Sequence, residues 1–155
     1  MKVLKRNNTL EDISFDKILN RLKLLCFDDE FEKKLNIDYS IIAQKVCSEI
    51  YDGINTHELD ELSAEICIAM VTEHPDFGDL AMRITIDNHQ KNTPRTFKES
   101  MSILYHNKDL NDKESPLVSD KIYQLSQNNS DEIEKKIDYN RDFDFDYFGF
   151  KTLQR

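Results

Sequence analysis

Glycine and proline are nearly missing from this sequence, with three of each in 155 residues. These two residues are the strongest breakers of regular structure, so the long runs between them can stay helical. Within those runs apolar residues recur at three- and four-residue intervals, which lines them up on one helix face. The spacing therefore predicts a mainly α protein. Hydrophobic residues make up 39% of the chain, enough for a modest core and too many for a disordered chain. The length suits one ordinary domain, or a small domain with a piece of another.

The exception to helical spacing is the N-terminus. Residues 3–6 and 10–13 flank Asn7-Asn8-Thr9, and Asn tolerates positive φ, so a small β-hairpin is expected there. Ser14 suits the N-cap of a first helix, with Asp16 at the positive end of its dipole. Ile18, Leu22 and Leu25 share its buried face. Residues 27–36 read as a charged loop. Ser40 is the expected cap of a second helix running to Ile50, with Ile42, Val46 and Ile50 inward. Gly53 suits the left-handed position after it. Asn55 and Thr56 are alternative caps for a third helix, and Asn55 with Glu58 has capping-box spacing. Leu59, Leu62, Ile66 and Met70 form its stripe. His74-Pro75-Asp76 breaks the chain before a fourth helix ending at Lys91, with Leu80, Ile84 and Asn88 in register. Pro94 marks a boundary. Further short helices are expected over 97–105, after Ser119, and near 130–137. Five of the fifteen aromatic residues fall between positions 143 and 150, and such a cluster needs a surface to bury against.

The formal net charge is −9, which makes nucleic acid and anionic lipid poor partners. Neither a nucleic-acid nor a membrane role is expected. No apolar run approaches the ~20 residues that span a bilayer, and the N-terminus has no apolar signal core. A cytoplasmic location is the default expectation. Cys26, Cys47 and Cys67 form no close pair and read as reduced core thiols. The four histidines lack metal-ligand spacing, and no metal residue is assigned. Glu58 with Asp60 and Glu61, and Asp142, Asp144 and Asp146, read as caps and solvated charge, and no catalytic residue is assigned. The charge is unevenly placed, however. Residues 1–23 carry six basic and three acidic side chains, whereas residues 24–90 carry four and fifteen. Lys5 and Arg6 at a strand end, with Lys17 and the free N–H groups of a helix start, are a candidate phosphate site. On spacing alone a solvated face is the commoner outcome of such charges. Neither a P-loop nor a dinucleotide fingerprint is present.

Several strings in order resemble a known family. Lys5-Arg6 followed by Glu11-Asp12-Ile13-Ser14-Phe15-Asp16-Lys17-Ile18 resembles the opening of an ATP-cone. Gly53-Ile54-Asn55-Thr56 with Glu58-Leu59-Asp60 resembles its third-helix start. His74-Pro75-Asp76-Phe77, Leu80-Ala81, Arg83-Ile84 and Lys91-Asn92-Thr93 resemble its last helix. Ser115-Pro116 and the run from Asp142 through Gly149-Phe150-Lys151-Thr152-Leu153 resemble the start of the catalytic domain of the eukaryotic and viral ribonucleotide reductase large subunit.

The resemblance implies a four-helix ATP-cone with a β-hairpin over residues 1–93, and a short helical extension over 94–155 that begins the catalytic domain. It implies an allosteric site for ATP as activator or dATP as inhibitor, with Mg2+. Lys5 and Arg6 would lie at the phosphates. Glu11, Asp12, Ile13, Ser14, Phe15, Asp16 and Lys17 would line the nucleotide, with Glu11 or Ser14 near the base and Lys17 on phosphate. Thr56 and Asp60 would hold ribose or phosphate, and Lys91 would close the phosphate side. Three or four such cations would offset the roughly −4 charge of a triphosphate through charge-assisted hydrogen bonds. The sequence departs from the family at the turn, which is Asn7-Asn8 rather than Asp-Gly, and before Lys91, where His89-Gln90 replaces Leu-His. The implied partners are the rest of the large subunit or a separate catalytic chain, the small radical-generating subunit, and further copies of the chain. The family's catalytic cysteines match none of Cys26, Cys47 and Cys67, so this chain alone is expected to be inactive as a reductase. A repressor pairing the cone with a zinc ribbon would need cysteine spacing that this sequence lacks.

Overall fold

The computed structural model describes residues 1–27, 31 and 33–154. Of the loop expected over 27–36, positions 28–30 and 32 lie outside the described residues, and Phe27 is the last residue of a helix. The chain forms two compact units. One comprises Met1–His89 with Asp142–Arg155, and the other Gln90–Arg141.

In the first unit, strands β1 (Lys2–Leu4) and β2 (Leu10–Asp12) make the expected antiparallel hairpin, with Val3 opposite Glu11. Asn8 takes φ 62° in the turn, and its N–H donates to the Lys5 carbonyl at 2.8 Å. A third strand, β3 (Ile54–Asn55), adds to the free edge of β1 in parallel, pairing Val3 with Ile54 and Leu4 with Asn55. The sheet order is β2-β1-β3. The hairpin expected from sequence is therefore the larger part of a three-stranded sheet. A two-residue strand carries no periodicity by which to find it.

Four helices pack around this sheet: α1 (Phe15–Phe27), α2 (Tyr39–Glu49), α3 (Thr56–Ala69) and α4 (Asp76–Asn92). Ser14 precedes α1, and its carbonyl accepts from the N–H groups of Lys17 and Ile18. The cap of α2 is Asp38 rather than Ser40. The Asp38 carboxylate accepts from the Ser40 N–H at 2.9 Å and from the Ser40 hydroxyl at 2.5 Å. Both residues are cap formers, but Ser40 sits inside the first turn, so it donates to the cap instead of serving as one. Asn55 is the N-cap of α3, and its N–H donates to Glu58 at 3.3 Å. Gly53, at φ 84°, donates its N–H to the Lys2 carbonyl at 2.8 Å and so turns the chain into β3.

The core joins the expected faces. Leu22, Ile42, Val46, Leu80 and Ile84 are fully buried, each contributing about 1.5–3 kcal/mol. On α3 the buried face is Ala64, Ile66 and Cys67, with Leu59 and Leu62 only half-buried. Cys26 and Cys67 are buried, whereas Cys47 is half-buried. Burial pushes the Cys26 thiol up to about 11 and the Cys67 thiol higher still. Helix α8 (Tyr147–Gln154) packs back on this unit. Tyr147 and Phe150 are buried, and Phe150 meets His89 edge-on at 5.4 Å. The aromatic cluster thus finds part of its surface within the chain, while Phe145, Phe148 and Leu153 stay exposed.

The second unit holds α5 (Phe97–Tyr105), α6 (Asp120–Asn128) and α7 (Ser130–Glu134). Thr96 and Ser119 cap the first two, as the side-chain oxygens accept from Glu99 and Ile122 N–H groups. Tyr105 and Tyr123 stack at 4.0 Å, and the Tyr105 hydroxyl donates to Asp120. Glu134 accepts from both the Phe97 N–H and the Tyr139 hydroxyl at 2.8 Å. Among the described residues no helix is long and apolar enough to cross a membrane.

Candidate functional site

The parallel pairing of β1 with β3 decides where the cations go. β3 runs directly into α3, so the end of β1, at Leu4-Lys5-Arg6, lies beside the first turns of that helix. The antiparallel pairing with β2 brings Glu11 and the start of α1 to the other side. Two clusters result.

In the first, the Lys17 ammonium donates to Glu11 Oε2 at 2.8 Å, and the Lys5 ammonium lies 3.4 Å from the same oxygen. Lys17, and to a lesser extent Lys5, hold the Glu11 carboxyl below the usual carboxylate range. In the second, Arg6 donates to Asp60 Oδ2 at 3.1 Å, and Arg21 Nε lies 3.5 Å from Asp60 Oδ1. Arg21 also donates to Asp87. Burial opposes the Arg21 charge, but Asp60 and Asp87 more than offset it and raise its affinity for the proton. Arg6 makes a further bond of 2.6 Å to Asn88 Oδ1. Asn88 is itself buried at 4% exposure, with its Nδ2 3.2 Å from the His57 carbonyl.

Four cations from the hairpin and α1 thus converge on carboxylates from β2, α3 and α4. Lys17 and Arg21 are four residues apart and share one face of α1. The Lys17 side chain is 64% exposed, whereas Asp60 is 13% exposed, so the first cluster opens to solvent and the second is anchored. Lys and Arg this close together present the donors that pair with phosphate and carboxylate oxygens. The chemistry of such a set is binding by charge and hydrogen bonding.

The structure brings together Lys5, Arg6, Glu11, Lys17 and Asp60 of the expected residues. Asp12 is paired opposite Lys2 in the sheet, Ile13 donates its N–H to the Met1 carbonyl, and Ser14, Phe15 and Asp16 form the start of α1. Thr56 opens α3. Lys91 lies in the last turn of α4 and belongs to the second unit. Arg21, His57, Asp87 and Asn88 were not expected. Arg21 could have been found from its i,i+4 relation to Lys17. Asn88 could have been found as the polar member of an otherwise apolar stripe with Leu80 and Ile84.

The ATP cone domain family model matches residues 1–92. Over its whole length the chain is 45% identical to the ribonucleoside-diphosphate reductase large subunit of Dictyostelium discoideum, covering 18% of that protein. It is 42% identical to the Arabidopsis thaliana large subunit, covering 19% of it, and 41% identical to the Monkeypox virus large subunit, covering 20% of it. The chain therefore spans about a fifth of the length of these relatives. With the family pattern running from β1 to the last turn of α4, this chain belongs to the ATP-cone domain family.

Proposed function

We propose that this chain is the N-terminal regulatory segment of a ribonucleoside-diphosphate reductase large subunit. Residues 1–93 form the nucleotide sensor and residues 94–155 begin the catalytic domain, which the rest of a large subunit or a separate chain completes. ATP acts as activator and dATP as inhibitor, each carrying Mg2+ on its phosphates. The small radical-generating subunit and further copies of the large subunit are the partners through which the signal is expressed. The observation that carries this reading is the convergence of Lys5, Arg6, Lys17 and Arg21 on two shared carboxylates, Glu11 and Asp60.

In this reading Lys5 and Lys17 exchange Glu11 for phosphate oxygens, and the freed Glu11 faces the base or ribose. Arg6 stays anchored by Asp60 and Asn88 beside the phosphates. Titration calorimetry of the 155-residue chain with ATP and with dATP tests it. Saturable binding is expected, weakened by Lys5→Ala with Lys17→Ala. Absence of heat and of saturation at about 1 mM nucleotide refutes sensing.

A second reading, in which the chain acts only in assembly on a separately made catalytic chain, is favoured by the exposed Phe145, Phe148 and Leu153. Co-purification with a larger partner that is lost on changing Phe143 and Phe145 to Ala supports it.

A further inference from the structure

We infer that the cleft between α3 and α8 is a docking site for an arginine side chain of a partner polypeptide. The inference goes beyond the nucleotide reading and stands whether or not the chain senses a nucleotide.

The cleft lies within the first unit and encloses about 600 Å3. Its α3 wall carries Glu61 and Glu65, which are four residues apart and share one helix face. The two carboxylates differ in what holds them. Glu61 Oε1 lies 3.4 Å from the Lys151 ammonium, and Glu61 Oε2 lies 3.7 Å from His57 Nε2. Glu65 is exposed and makes no ion pair or hydrogen bond among the described residues. Lys151 offsets one of the two carboxylates, so one further positive charge balances the cleft.

From α8, Tyr147 lines the same cleft. It is 9% exposed, and its hydroxyl has no hydrogen-bond partner among the described residues. Burial, and after it the charges of Glu65 and Glu61, push the Tyr147 phenol above its ordinary range. The hydroxyl therefore lies on the side of these carboxylates. A buried hydroxyl left without a partner is costly, and an incoming N–H donor satisfies its oxygen. Next to it, Phe148 also lines the cleft and is 63% exposed.

A guanidinium matches all three groups. Its rigid fork donates to both oxygens of one carboxylate, and further N–H groups reach a phenol oxygen. Its flat faces stack on an aromatic ring. An ammonium is a point charge and matches the carboxylate alone. Among the described residues no three His, Cys, Asp or Glu side chains come together to hold a metal ion. The apolar surface of α8 points to a polypeptide rather than a free small cation. Phe148 and Leu153 are both about two-thirds exposed, and apolar neighbours of a docked arginine cover them, the mixture of Arg and aromatic side chains that fills interface centres.

The test follows backbone amide chemical shifts of the 155-residue chain during titration. The probes are the peptide acetyl-Leu-Arg-Leu-amide, its analogue with neutral citrulline in place of arginine, and methylguanidinium. The arginine peptide is expected to bind saturably at about millimolar concentration, with the largest shifts at Glu65, Tyr147 and Phe148. The citrulline peptide is expected to bind about three- to tenfold more weakly, the scale of one net charge-assisted contact at a surface. Glu65→Gln and Tyr147→Phe keep the shape of the cleft and are each expected to weaken the arginine peptide by a similar factor. Glu73→Gln removes an exposed carboxylate outside the cleft and is expected to leave binding unchanged. Equal binding of the arginine and citrulline peptides overturns the inference. So does unchanged binding in both Glu65→Gln and Tyr147→Phe, or no saturation at about 10 mM arginine peptide. Methylguanidinium binding as tightly as the arginine peptide overturns the assignment to a polypeptide. None of these outcomes bears on the nucleotide reading, which titration with ATP and dATP tests separately.

Discussion

Arg83→Met tests how the first unit holds its charged core. Arg83 is 4% exposed. Its Nη1 donates to the Leu25 carbonyl at 2.8 Å and its Nη2 to the Lys33 carbonyl at 2.6 Å. The guanidinium carbon lies 3.9 Å from the Phe31 ring centre. Leu25 is in the last turn of α1, where carbonyls lack helical partners and the dipole favours a cation. Two bonds from a charged donor contribute about 1.5–3 kcal/mol each, and the ring contact adds about 0.5–2 kcal/mol. Against this, Nε is buried with no hydrogen-bond partner among the described residues, and burial disfavours the charged form. Removing the guanidinium relieves that cost, about 1–3 kcal/mol, while Met keeps most of the volume. The net loss is about 3 kcal/mol. Amide exchange at Leu22 and Ile84 reads opening of this unit alone, and that loss corresponds to roughly 150-fold faster exchange. Acceleration below about threefold would show that the Leu25 and Lys33 carbonyls are equally well satisfied without Arg83, and would refute the reasoning.

Two further outcomes are expected. Gly53→Ala meets no atom within 4 Å but must hold φ 84°, so it should cost about 1 kcal/mol through backbone strain alone, and Gly53→Asn should cost less. A melting temperature unchanged by Gly53→Ala, against an expected fall of roughly 2–8 °C, contradicts this. Asp76 is held below the usual carboxylate range, first by the Lys33 side chain and, less strongly, by the Asn36 N–H. A lowered folded value gives stability that is present above the unfolded carboxylate range, near about pH 4, and lost as pH falls through the folded value. The stability gap between wild type and Asp76→Asn should therefore close on acidification below about pH 4, as followed by denaturant titration, and a gap constant with pH counts against it.

The helical part of the fold was legible because its signals are local. Asn55 and Glu58 cap α3 as their spacing says, and Leu80, Ile84 and Asn88 lie on one buried face. The parallel β1–β3 contact was not legible, since Ile54 lies 51 positions after Val3 and the strand is two residues long. The site divides the same way. Lys5, Glu11 and Lys17 are close in sequence, and their meeting could be foreseen. Asp60 was expected from resemblance alone, and Asp87 and Asn88 join through the packing of α4, which no spacing reveals. His57 has no metal-ligand spacing, and its ring meets the Asn88 amide and the Glu61 carboxylate, neither of which spacing to other histidines reveals.

Two partners of Arg6, Asp60 and Asn88, lie 54 and 82 residues downstream of it. On a ribosome adding about 5–20 residues per second, Asn88 is made roughly 4–16 s after Arg6. The hairpin itself forms in microseconds. A nascent chain can therefore hold Lys5 against Glu11 for seconds before Asn88 exists to meet Arg6. The contacts of Arg6 with both Asp60 and Asn88 exist only once α4 is in place, so this part of the second cluster is a mark that the chain has folded through α4, and a chain cut short before Asn88 cannot counterfeit it.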